Sequence, residues 1–153
     1  MATTVIREGD PGGPAVLVLD PGEVEQRELP RTWRRMTVER QVVWCRLAAP
    51  HALAEAERLL TDPDALGRPI DVVTGGAVPE AVRQALGRHP GPVRSLLLVD
   101  PADGDDEREI DGVQVRVVTR GARPRSLAEP EVAESVTSAI AEVDAGGSGP
   151  PAH

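Results

Sequence analysis

Short apolar runs alternate along this chain with segments in which apolar residues recur every three or four positions. Ala15–Leu19 (AVLVL) is apolar throughout and is closed by Asp20-Pro21-Gly22, a turn signal. A run with no polar interruption suits a strand covered on both faces. Gln41–Leu47, Ile70–Val73, Arg94–Val99 and Val113–Val118 repeat the pattern, the third run ending at Thr74-Gly75-Gly76 and the fourth at Asp100-Pro101. Helical spacing fills the gaps. Leu53, Ala56, Leu59 and Leu60 share one face, as do Ala81, Val82, Ala85 and Leu86, with Pro79 suited to a first turn and Gly87 to an end. A short helix is expected near Arg31–Met36. Ser126 and Glu129 have the spacing of a capping box, ahead of a stripe formed by Val132, Val136, Ala139, Ile140 and Val143. Strands alternating with helices predict an α/β fold around a parallel sheet.

Composition narrows the function classes. The length of 153 residues suits one domain. Residues 1–14 are rich in Gly and Pro and are expected to be a flexible arm; residues 15–143 form the domain; residues 144–153 (DAGGSGPPAH) are expected to be a flexible tail. Trp33 and Trp44 are the only Trp, with no Phe or Tyr, so the core must be aliphatic. The net charge of −8 argues against binding to nucleic acid or an anionic membrane. All 17 basic residues are Arg, which excludes Schiff-base and phosphate-loop lysines. Cys45 is the single cysteine, so neither an internal disulfide nor a cysteine-based zinc cluster is expected. No apolar run approaches the roughly 18 residues of a membrane span, and no signal-peptide pattern opens the chain, so a soluble cytoplasmic protein without a cofactor or metal is expected.

The carboxyl ends of parallel strands are where chemistry is sought. There the chain resembles an α/β-hydrolase core. VLVLDPG, Trp33 and VVWCRL resemble that family's His-Gly-turn strand, Trp-containing helix and following strand. DVVTGGAVPEAVRQALGRHPGPVRSLLLVDP resembles its nucleophile-elbow strand, the helix ending in Arg-His-Pro, and the strand ending in Val-Asp-Pro. VRVVTRGARP resembles the strand bearing the acidic residue. The likeness spans about Ala15 to Val143. It implies a truncated three-layer sandwich with a five-stranded, mainly parallel sheet in the order 2-1-3-4-5, an order shared with flavodoxin-like folds.

Carried over residue by residue, the resemblance implies no catalytic triad. The elbow pentapeptide is Thr74-Gly75-Gly76-Ala77-Val78, which puts Gly76 at the nucleophile position. The acid position falls at Arg123. His153, on the expected tail, is the remaining histidine for the base. The expected function is therefore that of a pseudoenzyme acting by protein-partner binding or by self-association. Two other readings stand beside it. One is a small-molecule site at the turns Asp20, Gly22, Glu23, Thr74, Gly75, Gly76 and Ala77, where backbone N–H groups meet a helix start. The other is an esterase or thioesterase using Thr74, Asp100 or His51. Arg31, Arg34 and Arg35 around Trp33 form a candidate cationic patch for an acidic partner. The acidic loop Asp103, Asp105, Asp106, Glu107, Glu109 and Asp111 lacks the ligand spacing of an EF-hand and reads as a solvated turn. Cys45 reads as an inert core thiol.

Overall fold

The computed structural model describes residues 5–10, 12–22, 28–47, 51–61, 67, 69–76, 80–88, 93–101, 109–110, 113–121 and 126–148. Its strands are β1 (Val5–Glu8), β2 (Ala15–Asp20), β3 (Gln41–Arg46), β4 (Ile70–Gly75), β5 (Val93–Val99), β6 (Glu109–Ile110) and β7 (Val113–Thr119). Its helices are α1 (Arg31–Arg34), continued by a 3-10 turn at Arg35–Val38, then α2 (Ala52–Thr61), α3 (Glu80–Arg88) and α4 (Pro130–Ser148). The strands form one sheet in the order β1-β3-β2-β4-β5-β7-β6. The five strands from β3 to β7 across its middle are parallel, and β1 and β6 add antiparallel edges. The architecture is α/β with a mixed sheet.

Two expected boundaries move. Val5–Glu8, expected to be flexible, pair with β3, and α4 runs on through Asp144 to Ser148. The ordered domain is thus wider at both ends than residues 15–143. The expected strand count also rises from five to seven, because the edge strands β1 and β6 are too short and too polar to stand out as apolar runs. Among the described residues, no helix is long and apolar enough to cross a membrane.

Alternation along the buried strands explains the layering. Ala15, Leu17 and Leu19 of β2 pack with Ala56, Leu59 and Leu60 of α2 and with Val82, Ala85 and Leu86 of α3. Val16 and Val18 face the other way, toward Trp33, Met36 and the α4 stripe Val132, Val136 and Ile140. Successive side chains point to opposite faces of a strand, so an uninterrupted apolar run feeds two cores. The two indoles meet edge to face on the α1/α4 side, with centroids 5.5 Å apart and planes at 81°.

Helix boundaries have local causes. In the segment before α4, the Ser126 hydroxyl accepts the Ala128 N–H at 3.2 Å, and the Ser126 carbonyl accepts the Glu129 N–H at 3.1 Å. The expected capping box is therefore a turn that precedes the helix. Glu129 is the residue whose carbonyl takes the first helical N–H, from Ala133, and Pro130 opens the first turn. Gly87 is the next-to-last residue of α3, which ends one residue later at Arg88.

The amino end of the sheet carries a buried charge network. Asp71 of β4 has no exposed side-chain surface. A register shift between β4 and β5 leaves Ile70 opposite Val93 and Asp71 opposite Ser95, so Arg94 is the extra residue. That bulge lets both neighbours reach one carboxylate: Arg94 donates Nε at 3.1 Å and a terminal nitrogen at 2.6 Å, and Ser95 donates its hydroxyl. Arg94 and Arg40 also reach Asp144 of α4, at 2.7 and 3.2 Å, while Arg40 stands 4.0 Å from Asp71. The network ties the last turns of α4 to the sheet. Burial pushes the Asp144 carboxyl up, but the hydrogen bonds and charges of Arg94 and Arg40 outweigh it and hold that carboxyl below its usual range.

Removing one partner of a buried pair leaves the other charge uncompensated. Asp71→Asn is expected to lower unfolding stability by about 3–5 kcal/mol in a urea titration. Asp144→Asn, at a site 45% exposed, should cost less than about 1 kcal/mol. The folded pKa of Asp144 is depressed, so its contribution is present above 3.8 and is lost as pH falls through the lower folded value. The Asn variant should accordingly show a shallower loss of stability with acid.

Candidate functional site

The connection from β2 leads to β3 on one side of it, and β4 lies on the other, so the switch point of the sheet falls between β2 and β4. Ligands in open α/β sheets bind outside the strand ends at such a point. Asp20 ends β2 and Thr74-Gly75 end β4, and the two turns do lie side by side: a Cβ on Gly75 would come 3.5 Å from Pro21.

Leu127 packs against the end of β4 beside these turns. The same Cβ would come 3.3 Å from the Leu127 side chain, and Leu127 is wholly buried. The Leu127 carbonyl accepts the Trp33 indole N–H, which fixes the segment before α4 over the end of β4. Gly76 follows with φ of 69°, in the left-handed region that favours glycine, and its N–H donates to the Val99 carbonyl at 3.0 Å.

Asp20 and Thr74 are not brought together. Thr74 is paired in register with Leu19 and Leu98, both of which face α2 and α3, so its side chain enters that apolar layer. It is fully buried and its hydroxyl has no hydrogen-bond partner. Asp20 points to the opposite face, beside Trp44. One of its carboxylate oxygens accepts the Gly22 N–H at 2.9 Å. Burial pushes the Asp20 carboxyl up. The Gly22 N–H, the Trp44 indole and the Arg46 charge offset only part of that, and Trp44 Nε1 itself stays outside hydrogen-bond geometry. Glu23 and Ala77, the other members of this candidate site, lie outside the described residues.

Of the remaining candidates, Asp100 is engaged, Cys45 is shielded and His51 is exposed. Asp100, at φ 47°, is buried, and its carboxylate accepts the Thr119 hydroxyl at 2.7 Å. The Asp100 N–H donates to the Thr119 carbonyl, so the residue closes the β5 and β7 ends on each other. His51 is exposed at φ 64° ahead of α2, where its carbonyl accepts the Glu55 N–H. Burial, with Glu55 adding to it, pushes the Cys45 thiol up to about 11, so it stays un-ionised at neutral pH. Arg123, His153 and residues 102–108 and 111 of the acidic loop lie outside the described residues. Among the described residues, no group of three His, Cys, Asp or Glu side chains could hold a metal.

The cationic patch needs correction. Trp33 is fully buried and belongs to the core, where it packs edge to face against Trp44 among aliphatic side chains. Arg34 is committed to ion pairs with Glu8 at 3.3 Å and Glu28 at 3.1 Å. Arg31 and Arg35 remain exposed. Arg35 lines a groove of about 500 Å³ between the 3-10 turn and α4, together with Met36, Glu39, Glu134, Ile140 and Ala141. This groove was not foreseen, because its walls come from segments about a hundred residues apart. On α4 only isolated polar residues such as Glu134 mark it, and these read as an ordinary solvated helix face.

No family model matches this chain, and searches of curated proteins and of solved structures match nothing.

An unpaired hydroxyl in an apolar layer costs free energy that an isosteric methyl does not. Thr74→Val is therefore expected to raise stability by about 1–3 kcal/mol in urea unfolding. Asp20 behaves oppositely to Asp144. Its folded pKa is raised, so its contribution is present below 3.8 and is lost as pH rises through the folded value. Asp20→Asn keeps an acceptor for Gly22 and should be more stable than wild type at pH 7, with the gap closing toward about pH 3.

Proposed function

We propose that this chain is a non-catalytic, truncated α/β-hydrolase-like domain that works by binding another polypeptide, either a partner or its own copy. The observation that carries this reading is the turn at Gly75-Gly76: the residue at the elbow has no side chain, and the buried Leu127 packs against Gly75 beside it. Acyl transfer needs a nucleophile, a base and an orienting group in mutual contact. Thr74 and Asp20 lie on opposite faces of the sheet, and Asp100 is held by Thr119. The five parallel strands in the order β3-β2-β4-β5-β7 agree with the resemblance, and a groove of about 500 Å³ lies elsewhere, beside α4.

Turnover of activated esters such as p-nitrophenyl butyrate should not exceed the buffer rate. Gly76→Ser should leave that unchanged, since a hydroxyl alone supplies neither base nor orienting group. Saturable hydrolysis that Thr74→Val or Asp100→Asn abolishes would overturn the reading.

A further inference from the structure

We infer that a second copy of this chain occupies the groove between the 3-10 turn and α4, each copy inserting Val38 into the groove of the other. The inference rests on the binding reading above and names its partner. Val38 is 86% exposed and is the sole large apolar side chain so placed among the described residues. Isolated apolar side chains on a surface are ordinary; one standing beside an apolar hollow is a knob next to a hole. Val38 is the last residue of the 3-10 turn; the next residue, Glu39, and Met36, two residues before it, both line the groove. The apolar lining comes from Met36, Ile140 and Ala141.

Charge selects the occupant. Arg35 on the turn and Glu134 on α4 line the same groove, both exposed, and neither has an ion-pair partner among the described residues. A basic peptide would meet Arg35 and the neighbouring Arg31, and an acidic one would meet Glu134 and Glu39. A surface with both signs at matched spacing fits both walls, and a second copy turned about a two-fold axis supplies it. Isologous contacts have this property: residue i meets residue j, and j meets i. Knob and groove wall belong to one short segment, residues 35–39, so a two-fold axis near it can bring each knob to the other copy's groove.

Sedimentation velocity over about 1–100 µM tests the proposal on the full chain. Wild type is expected to shift from monomer to dimer with concentration, and Val38→Asp to weaken association at least about tenfold. Arg35→Glu and Glu134→Arg should each stay monomeric alone. Mixed in equal amounts they should form a heterodimer, because both cross-contacts then join opposite charges. All three positions are exposed, so unchanged urea midpoints will show that the variants fold. A wild type that stays monomeric throughout, or variants that pair as wild type does, would overturn the second-copy proposal. Neither outcome touches the absence of catalysis, which ester turnover tests separately.

Discussion

A carboxylate with no exposed surface must be compensated where it stands, and Asp71 organises the amino end of the sheet on that condition. The β-bulge at Arg94 exists in register with this need, since it brings two consecutive residues of β5 to one side chain of β4. Through Arg94 and Arg40 the network extends to Asp144, so the end of α4 is held by charge while its middle is held by packing. The position of α4 follows, and with it one wall of the groove.

At the opposite end of the strands, apolar packing closes what charge holds at the amino end. Leu127 sits against Gly75 because glycine leaves the room, and Trp33 holds Leu127 through its carbonyl. The chain has only two large rings, and both are spent on the face that α4 covers. The protein's own side chain thereby packs beside the switch point of the sheet. Asp20 and Thr74, close in the strand order, are separated by the alternation of side chains about the sheet. A shared turn region does not make a shared site.

The groove proposed for interaction lies on the flank between α4 and the 3-10 turn. It combines apolar lining from Met36, Ile140 and Ala141 with charged side chains of both signs, and the exposed Val38 ends the adjoining turn. A chain of net charge −8 has little to offer a polyanion, and a surface carrying both signs locally suits a protein contact better than the chain average suggests.

The alternation of apolar runs with helical stripes was enough to place β2, β3, β4, β5 and β7 and helices α2, α3 and α4, because strands buried on both faces and amphipathic helices write their burial into local periodicity. The edge strands β1 and β6 escaped, since runs of four and two residues are too short to show such a period. Asp71 gave one local hint, a charge within an apolar strand, but nothing near it in the chain named Arg40, Arg94 and Asp144 as its company. The candidate site was legible only as a set of turns. Whether those turns open to solvent depended on Leu127, more than fifty residues beyond Gly75 in the chain. Local pattern encodes which side chains avoid water; which of them meet, and what they cover, is set by long-range packing.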